Sequence, residues 1–314
     1  GHGRSTRIVP SADQFSALLS DLEKAPWIDE VGAVLSGYFG NPEQADAVAS
    51  LVKAAVVLAL VRILAGLVLD PGTVWAIGAL AIVSILFGNL AALGKDLLNG
   101  VQLAVEELNK EGVKINGKTV TFEVVAVDDR ANADTGKEVA KQLVDAGVVA
   151  VIGHLNSGVS IAAAPIYAEK SIAQMAISTN PKFTALGHPT TFRLVANDTL
   201  QAKAIGSFSA SQFKSTKYAL LDDGTPYGKD LAAGAAVQLK NAKKEIVLQQ
   251  SFDDKTTKFD ELAAKLKAAN VEVIVSTLND FQIVALIEAL KKINYTDIYL
   301  LGGDTIKTTL MLKG

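Results

Sequence analysis

The chain is predicted to be an α/β protein built as two Rossmann-like parallel-sheet lobes. From residue 93 onward, apolar segments of strand length alternate with amphipathic segments of helix length. Repeated βα units of this kind lead to parallel sheets with right-handed crossovers. Three polar loops also follow predicted strands in order: Gly153-His154-Leu155-Asn156-Ser157-Gly158, Ile177-Ser178-Thr179-Asn180-Pro181 and Asp222-Asp223-Gly224-Thr225-Pro226-Tyr227-Gly228. That edge of a parallel sheet is where α/β proteins bind ligands.

Residues 11–53 read as helix, short strand, helix. Ser11-Ala12-Asp13-Gln14 caps a segment with Phe15, Leu18, Leu19 and Leu22 at helical spacing. Ala33-Val34-Leu35-Ser36-Gly37 reads as a buried strand entering a glycine turn, and Asn41-Pro42 starts the next helix with proline near its first turn. Residues 54–69 are almost continuously apolar, interrupted by Arg62, and Thr73 to Gly94 carries no charge. A membrane span needs roughly 20 such residues. A strand buried in a parallel sheet also reads as an unbroken apolar run.

Helix 93–111 places Leu97, Val101, Ala104, Val105 and Leu108 on one face. Strand 119–127, helix 133–145, strand 148–152, helix 158–169 and strand 172–177 follow. A second set comprises strand 217–222, helix 228–240, strand 245–251, helix 258–269, strand 271–276, helix 280–292 and strand 297–301. The run Phe192–Asp198 separates the sets, so the hinge is placed near 195–198. The expected division is 1–72, then a first lobe over 73–196 and a second over 197–314.

Bulk properties narrow the function. The 314 residues suffice for two ordinary domains or three small ones. Net charge is −3 with no basic stripe, which argues against nucleic acid as a partner. Cysteine is absent, so thiolate metal sites and a cysteine nucleophile are excluded. His2, His154 and His188 have no metal-ligand spacing, and neither a metal nor a cofactor is expected. Asp128-Asp129 and Asp222-Asp223 each follow a strand and read as solvated turns rather than metal pairs. The first residues are polar and soon acidic, so no signal peptide is visible.

The three loops together resemble those of the leucine/isoleucine/valine-binding family of periplasmic solute receptors, over roughly residues 78–314. The resemblance implies a type I periplasmic binding protein fold that holds a free amino acid between its lobes, without catalysis. In complete relatives it implies a membrane transporter as partner. Ser157 matches the serine that holds the ligand carboxylate with nearby backbone N–H groups, and Thr179 matches a threonine that does likewise. Ile177 and Ser178 lie where loop backbone faces the ligand, their carbonyls toward its ammonium. Asp304 matches the acidic partner of that ammonium, and Tyr227 an aromatic wall of the cleft from the opposite lobe. Leu93 replaces an aromatic of some relatives, which fits a branched or small aliphatic ligand. Asn279 and Asp280 stand where relatives often have another aromatic contact.

The resemblance also assigns residues 78–88 to the first strand and ligand loop. Buried core is therefore favoured over membrane contact for the apolar run 54–94. Ile85-Leu86-Phe87-Gly88 replaces the family's proline- and hydroxyl-containing turn. The chain stops at Gly314, before the family's closing elements, so the first lobe is expected to be incomplete and ligand binding weaker than in complete relatives. A periplasmic location is expected from the resemblance.

Residues 1–72 resemble a fragment of pyridoxal kinase, through Gly1-His2-Gly3, Val34-Leu35-Ser36-Gly37-Tyr38-Phe39-Gly40 and Leu69-Asp70-Pro71. The catalytic phosphate loop of that group has no counterpart, so kinase chemistry is not expected. The join suggests a chimeric or designed protein. Two readings stand for the cleft residues taken singly. Ser157 and Thr179 serve as helix caps or as ligand hydroxyls, Asp304 as an N-cap or as a counter-charge, and Tyr227 as a packed surface aromatic or as a cleft wall.

Overall fold

The computed structural model describes residues 77–84, 90–115, 118–215, 217–306, 308, 310 and 311. Readings placed on residues 1–76, the kinase-like fragment among them, and on the turn 85–88 lie outside the described residues.

The first lobe is built on a five-stranded parallel sheet. Its strands are β1 (Ile77–Ser84), β4 (Thr121–Asp128), β5 (Ala150–Ile152), β6 (Ala173–Ala176) and β7 (Thr191–Arg193), in the order β4-β1-β5-β6-β7. β1 pairs along its whole length with β4, from Ile77 opposite Thr121 to Ser84 opposite Asp128, and pairs with β5 on its other side. An interior parallel strand of this kind is where a continuous apolar sequence such as Ile77–Ser84 is expected. Among the described residues, no helix is long and apolar enough to cross a membrane.

β2 (Lys114–Ile115) and β3 (Lys118–Thr119) form a small antiparallel hairpin before β4. That hairpin takes up Thr119, so β4 begins later than the sequence suggests. α1 (Ala91–Glu111) ends at Gly112, whose left-handed φ of 67° lets its N–H bond back to Leu108 O. Its buried stripe packs on Phe122, Ile152 and Met175. α2 (Ala133–Asp145) is capped by Asn132, whose side chain accepts from Asp134 N and Thr135 N, both at 3.0 Å. With α3 (Ser157–Glu169) it covers the opposite face, where Val139, Leu143 and Tyr167 pack with Val151 of β5.

The second lobe is built on a four-stranded parallel sheet of β8 (Lys217–Asp222), β9 (Glu245–Ser251), β10 (Val273–Ser276) and β11 (Tyr299–Gly302), in the order β11-β10-β8-β9. Side chains of β8 alternate faces as a strand requires. Tyr218 and Leu220 pack with α5 (Asp198–Gln212) and α6 (Pro226–Asn241), while Ala219 and Leu221 pack with α7 (Asp260–Ala268) and α8 (Asp280–Lys292).

β7, the short α4 (Lys182–Ala185) and α5 are absent from the sequence reading. α5 presents small residues to α6, and a Cβ on Gly234 would stand 3.0 Å from Ala202 Cβ. Close approach through small side chains leaves no large apolar stripe for a periodicity argument to find. The run Phe192–Asp198 is accordingly the end of a strand and the start of a helix, joined by a short bend.

In each sheet the first strand has its next parallel partner on one side and the following one on the other. The crevice beyond the strand ends lies at such a reversal, between β1 and β5 in one sheet and between β8 and β10 in the other. The loops after β5, β8 and β10 sit there.

Leu220 is fully buried on the central strand of the second sheet. Leu220→Ala is expected to lower unfolding stability by about 2–5 kcal/mol through the lost side chain and the cavity left behind, measured as a shift in the urea midpoint at unchanged slope.

Candidate ligand cleft

The loop after β5 is set by a buried polar network. Asp129 and His154 are both fully buried, and His154 Nδ1 lies 2.7 Å from Asp129 Oδ2. With Nδ1–H donating to Asp129, Nε2 is left to accept from Tyr167 Oη at 3.3 Å. Burial, and then the Asp129 charge, push the Tyr167 hydroxyl pKa upward. The His154 carbonyl accepts from Ser160 Oγ and Ser178 Oγ, both at 3.1 Å, and those two hydroxyls are 2.6 Å apart. The loop after β5 is thereby stitched to the loop after β6.

These loops bring Ser157 to the first turn of α3, nearly buried, with Asn180 N donating to its Oγ at 3.3 Å. The Ser157 hydroxyl hydrogen remains available to the cleft. Thr179, also nearly buried, stands beside it at the end of the next strand. Asn156 Oδ1 is buried without a partner and belongs to the same wall.

The opposite wall comes from the second lobe. Thr225 caps α6, its Oγ1 accepting from Gly228 N at 3.1 Å and donating to Asp223 Oδ1 at 2.6 Å. Pro226 occupies the first turn, which places Tyr227 at the helix start. Tyr227 Oη donates to Asp304 Oδ1 at 2.7 Å. Asp304 opens a short 3-10 turn after β11, and its N–H donates to Gln201 Oε1 at 3.2 Å.

A cavity of about 210 Å³ lies between the walls. Ser157, Ile177, Thr179, Tyr227 and Asp304 all line it. Ser178 does not: its hydroxyl is spent on His154 and Leu155 carbonyls, and its own carbonyl accepts from Arg193 Nε at 3.0 Å. The expectation that Ser178 faces a ligand is corrected to a place beneath the cleft.

The solvated-turn reading of the acidic pairs also needs correction. Asp222 and Asp223 are nearly buried and Asp129 fully so, their carboxylates satisfied by turn N–H groups and a neighbouring-strand hydroxyl. Asp223 lines the cleft, as do Gln201, Asn279 and Thr305. Asp280 bonds instead to its own helix start and to Thr308 Oγ1. A strand followed by Asp-Asp-Gly-Thr-Pro was the available signal for Asp223; Gln201 carried none, because α5 was not recognised. Leu90, Leu93, Leu155, Val195 and Ala196 supply an apolar flank. Among the described residues, no group of three or more acidic, histidine or cysteine side chains could hold a metal ion.

Electrostatically the cleft is two-sided. The first-lobe wall offers a helix N-terminus and hydroxyls, which favour negative charge. The second-lobe wall holds Asp223 and Asp304, both with pKa raised, chiefly by burial. Burial also lifts the Tyr227 hydroxyl well above its ordinary value, with Asp304 adding to the effect. Below the cleft, Asp198 is pushed up to about 7 by burial, against the Thr179 side chain, with Asp304 repulsion adding to the rise.

A profile of the periplasmic binding protein family matches residues 75–312. "Leu/Ile/Val-binding protein homolog 2" of Brucella abortus is 38% identical over 212 residues, covering 67% of this chain and 56% of that protein. The chain thus spans just over half the length of the relatives it matches. The isoleucine complex of LivJ, the branched-chain amino acid transporter substrate binding protein of Streptococcus pneumoniae, superposes with TM-score 0.67 at 25% identity, covering 75% of this chain and 66% of that one. A Rhodopseudomonas palustris solute binding protein in complex with 4-hydroxybenzoate has TM-score 0.64 at 16% identity, covering 74% and 63%, a likeness of fold alone. The matched region begins after the kinase-like segment, and that resemblance has no support.

Asp198 yields a pH prediction. The unfolded carboxyl ionises near its usual 3.8, the folded one near 7, so between those values the folded state holds more protons. Stability therefore falls as pH rises from about 4 to about 7. Asp198→Asn removes this loss. Its melting temperature relative to wild type is expected to be higher at pH 8 than at pH 4.5, by a free-energy difference of at most about 4 kcal/mol, read by calorimetry at both pH values.

Proposed function

This chain belongs to the periplasmic binding protein family, and we propose that its cleft binds a free amino acid with a branched or small aliphatic side chain, without catalysis. The carrying observation is the two-sided cleft, with hydroxyls and a helix N-terminus opposite the carboxylates of buried Asp223 and half-buried Asp304. A zwitterion matches both walls: its carboxylate meets Ser157, Thr179 and the start of α3, and its ammonium meets Asp304 with Asp223 nearby. Burying either charge unpaired is costly, so the two walls act together. The apolar flank around Leu93 and Leu155 takes the side chain, and the volume suits a small ligand.

Ile177 contributes at the rim between the hydroxyl wall and the apolar flank. We place the hinge at 195–198, between β7 and α5, dividing the receptor region into 73–196 and 197–314. The Brucella relatives and the isoleucine-bound LivJ support the ligand class. An aromatic acid, the ligand of the Rhodopseudomonas protein, has a carboxylate and no ammonium, and would leave Asp304 and Asp223 without a counter-charge. Periplasmic location, and a membrane transporter that takes up the delivered amino acid, belong to the same proposal.

Calorimetric titration of leucine, isoleucine, valine and 4-hydroxybenzoate decides the matter. Saturable binding of the aliphatic amino acids alone is expected. Ser157→Ala and Asp304→Ala should each weaken it by about 10- to 150-fold, the worth of a hydrogen bond to a charged group. Binding of 4-hydroxybenzoate in preference to isoleucine, or full affinity in Asp304→Ala, would overturn the assignment.

A further inference from the structure

We infer that Asn180 is a positioning residue that makes the ligand loop depend on contact between the lobes. It follows Thr179 directly, and it is fully buried. Each of its polar atoms is engaged. Its N–H donates to Ser157 Oγ at 3.3 Å, and its carbonyl accepts from Arg193 Nη2 at 2.9 Å. Its Oδ1 accepts from Lys182 N at 2.9 Å, which fixes the amide orientation and aims Nδ2 at the second lobe, beside the cleft. There Nδ2 donates to Pro226 O at 3.0 Å and to Asp230 Oδ2 at 2.8 Å. Both acceptors lie on α6, in the second lobe, next to Tyr227.

A single side chain thus ties the hydroxyl wall to the opposite helix. The lobes also touch at this point, since a Cβ on Gly158 would come within 2.9 Å of Pro226 Cγ. Lys182 Nζ lies 2.7 Å from Asp230 Oδ2, but with its side chain mostly exposed that ion pair adds little. Separating the lobes takes both acceptors away from Nδ2 beside Thr179, while the bonds to Arg193, Lys182 and Ser157 stay within the first lobe. The Asn180 donors are therefore all satisfied within the protein when the lobes meet, and through Asn180 the ligand loop favours the closed arrangement that retains ligand.

The inference rests on the amino-acid reading of the cleft for its binding arm, and a ligand-free arm tests it separately. Asn180→Asp keeps the size and the Oδ1 acceptor but sets a carboxylate against Asp230 and the Pro226 carbonyl. Asp230→Asn in the same chain restores one donor. Isoleucine affinity of Asn180→Asp is expected to fall by about tenfold or more, mostly through faster dissociation in stopped-flow chase, with an intact cooperative melt. The double variant should regain at least about threefold of that loss. Small-angle scattering of the unliganded proteins should show Asn180→Asp more extended than wild type and the double variant returning toward it. Wild-type affinity in Asn180→Asp, or a double variant no tighter than the single one, overturns the inference. If wild type binds no isoleucine, the amino-acid reading fails. The scattering then decides for this residue alone: expansion reversed by Asp230→Asn upholds the tie, and unchanged scattering overturns it.

Discussion

The Arg193 guanidinium, buried at the end of β7, is the constraint on which the cleft depends. Its Nε donates to Ser178 O, and its Nη2 donates to Asn180 O and to Thr184 Oγ1. These bonds hold the backbone on both sides of Thr179 and tie it to α4. Burial lowers the Arg193 pKa and the Asp198 carboxylate opposes that effect, so cation and acid sit together under the loop. A buried cation is tolerated where its donors are occupied and a negative charge is close. Here its occupied donors are what order the loop.

The same economy of buried polar groups shapes the rest of the cleft. Asp129 orients His154, the His154 carbonyl collects two serine hydroxyls, and Asn180 reaches the other lobe. In the second lobe, Thr225 and Asn279 donate to Asp223, and Tyr227 donates to Asp304. The donors are shared unequally between the walls. On the hydroxyl wall Thr179 bonds to Asp198 and Ser157 keeps a hydrogen that can face the cleft, while the acidic wall keeps carboxylates whose ionisation burial makes costly. That asymmetry gives the cleft a direction.

Much of the fold was legible from local pattern. Helices 133–145 and 280–292 and strands 217–222 and 245–251 stand at the ends read from the sequence, because their apolar periods mark them. β7 and α5 were not legible. The first is three residues long, and the second packs through alanine, glycine and serine against α6. The acidic pairs misled for a related reason: a turn sequence shows that an aspartate can cap, and leaves unsaid whether the cap is solvated.

By itself, the sequence determined the βα rhythm, the position of each loop at a strand end, and the residue types offered there. Those follow from periodicity and capping, which act over a few residues. Tertiary structure decided which side chains share the cleft. It turned Ser178 beneath the surface, brought Gln201 and Asp223 to the wall, and joined Asn180 to Pro226 across 46 residues of chain. Such meetings depend on how two sheets face each other, and no local interaction encodes that.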